Sequence, residues 1–215
     1  MFLSWFFTKL IINPFSKIIP DIPNYRSAHF LIKPRGGGLA FITSNFISSF
    51  IFFGQNNFAA LLPLSLMGFI DDIFGLKKLS KFGVQIATCS FLLYESSYFE
   101  FINQIDNLLF KIIYITTIVI FLSAIINFCN FMDGIDGILA GSILISLITY
   151  AIILRGSVWA LIGALFGFLF WNWKPSKIFM GDIGSNFLGG VLIWMILNTN
   201  NISMSLSILL ISAPL

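Results

Sequence analysis

Apolar runs of helical length alternate with short polar breaks along the whole chain. They predict helical spans over residues 37–54, 58–70, 82–94, 112–129, 138–154, 157–171 and 187–197, and the start of a last one over 202–215. Residues 1–19 form a marginal run, either a short first span or an interfacial helix. The polar breaks are a stretch from Asp21 to Arg35, a turn at Gln55–Asn57 and a basic loop carrying Lys77, Lys78 and Lys81. An acidic loop with Glu95, Glu100 and Asp106 follows, then turns at Asp133–Gly137 and Arg155–Gly156, a loop from Asn172 to Gly184, and a turn at Asn198–Asn201.

Composition decides what solvates these helices. Apolar residues make up 58% of the 215 and charged residues 10%. A soluble domain is about a quarter charged, so this chain lacks the ionised side chains to cover an aqueous surface. Its 26 Phe and long Ile/Leu runs exclude disorder. The expected fold is all-α: a polytopic integral-membrane helix bundle of roughly eight to nine spans, forming one domain over residues 1–215. The net charge of +3 comes without a basic, aromatic-interleaved face, so no nucleic-acid partner is expected. Cys89 and Cys129 sit inside apolar runs and read as buried small residues, not as a disulfide or metal site. The N-terminal run is interrupted by Lys9, Asn13, Pro14 and Lys17 and does not read as a cleaved signal.

The loops fall alternately into two sets. One holds Arg26, Lys33, Arg35, Lys77, Lys78, Lys81, Lys174 and Lys177; the other holds Arg155 and, at its edge, Lys111. The positive-inside rule makes the first set cytoplasmic and predicts a multi-pass inner-membrane protein. Six of the nine acids share that side: Asp21, Asp71, Asp72, Asp133, Asp136 and Asp182. All but Asp21 lie at span ends. Short carboxylates converging from distant segments repel one another unless a cation joins them, and oxygen ligands suit a hard cation such as Mg2+.

The most specific local pattern is Asn127-x-x-Asn130-x-x-Asp133-Gly-x-Asp136-Gly137. Neighbouring members are three residues apart and lie side by side on a helix. Each step drifts by about 60°, so the four cannot share one straight face, and Gly134 and Gly137 are expected to break the helix. Asn127 inside an apolar run is costly unless it is bonded. Other features have two readings. Gly36-Gly37-Gly38 beside Arg35 is either a backbone nest for an anion or a lead that lets spans pack closely. Lys81 either follows the positive-inside rule or holds a phosphate. The single histidine, His29, reads as a loop residue, and Trp171, Trp173 and Trp194 as interfacial.

Four stretches carry a resemblance: Arg26-Ser-Ala-His29 leading to Pro34-Arg-Gly-Gly-Gly38, Gly68-Phe-Ile-Asp71-Asp72, Asn127 to Gly137, and Phe179-Met-Gly-Asp182-Ile-Gly-Ser185. In this order they resemble the polyprenyl-phosphate N-acetylhexosamine-1-phosphate transferases. The resemblance implies transfer of a sugar-1-phosphate from a UDP-N-acetylhexosamine to a polyprenyl phosphate, releasing UMP. It implies Mg2+, with Mn2+ as a substitute, held by Asp182 and Asn130. It implies Asp71 and Asp72 as the essential pair near the lipid phosphate, and Asp133 and Asp136 as further catalytic residues of the nucleotide region. Lys81 matches a phosphate-binding residue and Asn172 one near the nucleoside, and Asn127 and Arg35 are further substrate-binding candidates. A homodimer is left open.

Within the family, Pro34-Arg-Gly-Gly-Gly38 looks like the branch that makes O-antigen, enterobacterial-antigen or teichoic-acid precursors, not the phospho-MurNAc-pentapeptide branch. The family's His-x-His-His loop near the donor diphosphate has no match up to Leu215. The expectation is therefore a C-terminally truncated member, and a catalytically inactive relative that binds lipid or a partner is the rival reading. A transporter would carry its acids at mid-span. A CDP-alcohol phosphotransferase needs an Ala-Arg pair and further downstream aspartates. A DDxxD prenyl site fails at Ile73-Phe74-Gly75.

Overall fold

Among the described residues the last long helix, Gly181–Leu197, is the axis around which the others pack, and nearly all of its residues are buried. A computed structural model of the protein describes residues 1–23, 31–54, 56–154 and 157–199. In chain order the elements are α1 (Phe2–Ile18), β1 (Pro20–Asp21), β2 (Lys33–Pro34), α2 (Gly38–Phe53), α3 (Leu62–Phe74) and α4 (Lys78–Tyr94). They continue with α5 (Ser97–Asn103), α6 (Leu108–Met132), α7 (Ile138–Leu154), α8 (Trp159–Asn172) and α9 (Gly181–Leu197). A single 3-10 turn, Ala59–Leu61, leads into α3. The all-α class holds, apart from a two-residue antiparallel pairing of Asp21 with Lys33 and Pro20 with Pro34.

Small residues let α9 sit at the centre. A Cβ at Gly189 would lie 2.9 Å from Ile126 Cα of α6, and one at Gly190 would lie 2.9 Å from Leu61 and Leu64 side-chain carbons. Close backbone approach of this kind replaces the hydrophobic drive that lipid-solvated helices lack. α3, α6, α2, α4 and α7 surround α9, while α1 packs on α8 and α2. The polarity is inverted relative to a water-soluble domain. Gln85, Asn172 and Asn186 are buried, whereas Phe50, Phe52, Leu79, Phe110, Phe131 and Phe170 are exposed.

Several sequence boundaries shift. Hydropathy ends a run at its first charge, but a helix ends where its backbone turns. α3 therefore continues through Asp71 and Asp72 and stops at Gly75, whose φ of 67° is left-handed and whose N–H bonds Asp71 O at 2.9 Å. α4 starts at Lys78 rather than 82, so Lys81 stands in its first turn. α6 runs to Met132 and contains Asn130. α9 starts at Gly181 rather than 187, so Asp182 lies on a helix and not in a loop. The acidic stretch contains α5, which no apolar run marked.

The expected spans differ in length. Among the described residues α6, at 25 residues, is the one helix long and apolar enough to cross a membrane unaided. The apolar helices α2, α7, α8 and α9 have 14 to 17 residues. At 1.5 Å per residue these reach only about 21–26 Å, against a hydrocarbon core of about 30 Å. Trp194, partly buried near the end of α9, packs edge-on against Phe58 at 5.1 Å. Arg26, His29, Arg155 and the run 202–215 lie outside the described residues.

Candidate functional site

Four helix ends meet at one point: the last turn of α3, the first of α4, the last of α6 and the first of α9. Glycines make the meeting possible. A Cβ on Gly68 of α3 would fall 2.3 Å from the Asp182 carbonyl oxygen, and one on Gly38 of α2 would fall 2.5 Å from Gly184. Gly181 has a φ of 76°, and a Cβ there would lie 2.5 Å from Asp72 Oδ2. Backbones of α2, α3 and α9 touch here because none of these positions carries a side chain.

Asp71, Lys81, Asp182 and Asn130 form the cluster. Lys81 Nζ donates to Asp71 Oδ2 at 2.5 Å and to Asp182 Oδ2 at 3.4 Å. Asn130 Nδ2 donates to the same Asp182 oxygen at 3.3 Å. The second Asp71 oxygen accepts from Leu76 N at 2.6 Å. The Asp71 side chain is 9% exposed and that of Asp182 is 24% exposed, so Asp182 is the carboxylate that opens outward.

Asp72 faces the other way. Its Oδ1 accepts from Asp182 N at 3.0 Å and its Oδ2 from Ile183 N at 3.2 Å. The N-cap residue of α9, Met180, makes no side-chain cap of its own. Asp72 thus caps α9 from a different helix, filling two orphan donors and placing a negative charge at the positive end of the dipole.

Asp133 occupies the turn between α6 and α7. Desolvation pushes its carboxyl well above the usual carboxylate range, and the Asp182 and Asp72 carboxylates add to this. Arg35 and a hydrogen bond from the Gly181 backbone pull the other way. Arg35 also pairs with Asp21 at 2.5 Å.

The remaining sequence candidates lie apart from the cluster. Asp136 Oδ2 accepts from Ser176 N at 3.2 Å and lies 3.7 Å from Lys33 Nζ, which donates to Ser176 Oγ at 2.9 Å. Asn172 is buried: it accepts from Gly137 N at 3.1 Å and donates to Ile178 O at 3.0 Å. Both ends of its amide therefore brace the Asp133–Gly137 turn against the α8–α9 loop. Asn127, on an exposed position of α6, pairs with Gln85.

The glycine loop is not the open nest that was one of its two readings. Gly37 N and Gly38 N each donate at 2.9 Å to the carbonyls of Phe179 and Met180. Close packing is the reading that holds. Sequence reasoning missed Lys33, Gln85 and Asn186. For Gln85 the available signal was an amide inside an apolar run, the same that singled out Asn127; Asn186 stands just before the run 187–197 and carried no such signal.

The site's donors suit a hard cation. Among the described residues, no three His, Cys, Asp or Glu side chains stand together to enclose a metal by themselves. Mg2+ asks for less than that: it binds through one or two carboxylates and completes its shell with substrate phosphates and water. The outward Asp182 carboxylate, with the Asn130 amide against it, offers that kind of partial shell.

The profile of glycosyl transferase family 4 matches residues 55–200. Over 213 residues the chain is 32% identical to the "Probable undecaprenyl-phosphate N-acetylglucosaminyl 1-phosphate transferase" of Bacillus subtilis (strain 168), covering 87% of this chain and 59% of that protein. It is 33% identical over 196 residues to the phospho-N-acetylmuramoyl-pentapeptide-transferase of Kosmotoga olearia, covering 80% and 61%. Against the enzyme of the same name from Clostridium beijerinckii the figures are 34% over 189 residues, 74% and 58%. The chain spans about three fifths of the length of these relatives. Both branches match at nearly equal identity, so these figures do not separate them.

Proposed function

Since the chain belongs to glycosyl transferase family 4, we propose that it moves a sugar-1-phosphate from a UDP-N-acetylhexosamine to a polyprenyl phosphate. The oxygen of the lipid phosphate attacks the phosphorus that carries the sugar. A new P–O bond forms, the bond between the two donor phosphates breaks, and UMP leaves. The observation that carries this reading is the Lys81–Asp71–Asp182–Asn130 cluster at the junction of four helix ends.

Two polyanions must meet for this reaction, and the first demand is charge screening. A phosphate monoester with a second pKa of about 6 is already largely dianionic at neutral pH, so removing its proton is the smaller task. Lys81 supplies a compact positive charge, and Asp71 holds that ammonium in place. Asp182 and Asn130 are the residues that would hold Mg2+. The ion would supply electrophilic polarisation of the phosphoryl oxygens. Asp72 positions Asp182 through the start of α9 instead of touching substrate. Lys33 and Asp136 tie the α8–α9 loop to β2 and shape the nucleotide side.

The chain acts as one membrane-embedded domain with this site facing the cytoplasm. By connectivity the site end carries Lys33, Arg35, Lys77, Lys78, Lys81, Lys174 and Lys177, as the positive-inside rule asks. The exposed Phe and Leu side chains suit lipid contact. The test is transfer of radiolabel from UDP-N-acetylglucosamine to undecaprenyl phosphate by the purified chain. Mg2+-dependent, lipid-extractable product is expected. Its absence at every substrate level would overturn the reading in favour of a non-catalytic lipid-binding relative.

A further inference from the structure

Three amides from three helices, two of them buried, are joined one turn inside the cluster. Gln85 of α4 donates to Asn127 Oδ1 of α6 at 3.2 Å and accepts from Asn127 Nδ2 at 3.0 Å, a reciprocal pair. The same Gln85 Nε2 donates to Asn186 Oδ1 of α9 at 3.4 Å. Asn186 Nδ2 then donates to the backbone carbonyl of Asp182 at 2.7 Å, and Asn127 Nδ2 to that of Ser123 at 2.9 Å. Gln85 and Asn186 are 3% and 1% exposed.

The spacing repeats on each helix. Gln85 lies four residues after Lys81, Asn186 four residues after Asp182, and Asn127 three residues before Asn130. Residues three or four apart share a helix face. Each amide therefore stands directly inward of one site residue. Sliding any helix by one residue would move its site residue by about 1.5 Å and rotate it by about 100°. It would also break the bonds of the buried Gln85 and Asn186 amides, which nothing else in an apolar interior replaces.

We propose that Gln85, Asn127 and Asn186 form a positioning layer that fixes the mutual register of α4, α6 and α9, and so brings Lys81, Asn130 and Asp182 to one point. This rests on the transferase reading of the site only in calling that point functional. Asn127 is thereby a positioning residue and not a substrate ligand. Buried polar groups are best attested as devices that select one register over others.

The test separates register from stability. Gln85→Met alone strands two amide partners and lowers the thermal midpoint. The triple variant Gln85→Met, Asn127→Leu, Asn186→Leu removes all partners together and regains most of that midpoint, because an all-apolar replacement is nearly neutral. Spin labels on Leu79→Cys and Phe131→Cys, both more than 80% exposed on α4 and α6, report the register by electron–electron distance. The buried Cys89 and Cys129 stay unlabelled. We expect the triple variant to show a shifted or broadened distance. Its transfer kcat should fall about 10- to 100-fold, as for other residues that orient first-line ligands, with the donor KM within about twofold. An unchanged distance, or recovery of kcat together with the midpoint, would overturn the positioning layer. Absence of transfer by the parent chain would sink the proposed function, and the distance measurement would still decide the layer.

Discussion

Asp72 on α3 accepts the backbone N–H groups of Asp182 and Ile183 at 3.0 and 3.2 Å, so one site carboxylate caps the helix that carries another, Asp182. The two aspartates then have different tasks. Asn is about as good an N-cap as Asp, while Ala is poor, costing typically about 1 kcal/mol. Asp72→Asn keeps only one of the two acceptors, so it should lose less stability than Asp72→Ala and retain transfer to within about tenfold. Asp72→Ala should lose about 1–2 kcal/mol of stability and most of its transfer. Equal, complete inactivation of both variants with unchanged midpoints would assign Asp72 to the chemistry instead.

The glycine contacts give a graded series. Gly68→Ala places a methyl 2.3 Å from the Asp182 carbonyl oxygen, and Gly181→Ala meets Asp72 Oδ2 at 2.5 Å with a left-handed backbone. Both force α3 and α9 apart and should cost about 1–3 kcal/mol, as overpacking does. Transfer should fall with them, because Asp72 loses its grip on α9. Gly75→Ala is the control. Its φ is also left-handed, 67°, but nothing lies within 4 Å of the added carbon. It should cost only the backbone strain of about 1–2 kcal/mol and leave the cap intact. Thermal midpoints in one detergent, read beside transfer rates, check the order.

Asp133 supplies a pH test. Desolvation, with the Asp182 and Asp72 carboxylates behind it, raises its folded-state pKa well above the unfolded value. The folded state thus keeps a proton that the unfolded state releases from about pH 4 upward. Folded stability must then fall as pH rises through this window, and level off above the raised folded pKa. Asp133→Asn cannot ionise and should lack this decline. In EDTA, the midpoint difference between Asp133→Asn and the parent chain should grow from about pH 4 towards neutrality. A difference that stays flat with pH would remove the shift.

The fold class and the parts of the site were legible in the sequence, but the assembly was not. Low charge and long apolar runs announced an all-α bundle, and the carboxylates stood at the predicted helix ends. Hydropathy could not tell that Asp182 begins a helix, because the first turn Gly181–Gly184 holds too few apolar residues to extend the run. Nor could it divide the aspartates among partners. Whether an oxygen meets Lys81, a backbone N–H or Ser176 depends on contacts more than a hundred residues apart in two of the three cases, Asp182 with Lys81 and Asp72 with Asp182. Gln85 carried the same signal as Asn127, an amide in an apolar run, yet only their meeting with Asn186 in three dimensions gives that signal a meaning.

Lys81 tests whether charge screening or proton removal governs the reaction. Its ammonium sits on Asp71 and reaches Asp182, and the Asp71 side chain has little solvent to fall back on. Lys81→Met leaves a part-buried carboxylate unpaired and should lower both stability and transfer. Adding Asp71→Leu removes that stranded charge and should restore the midpoint. If Asp71 serves chiefly to hold Lys81, the double variant should be no slower than Lys81→Met alone, because the two residues act as one unit. If Asp71 also takes a proton from the lipid phosphate, the double variant should lose a further factor of at least about 100, the low end for general-base work. The pH profile of the slower variant would then lose its acidic limb. Comparing transfer rates of Lys81→Met, Asp71→Leu and the double at saturating donor decides between screening and proton removal.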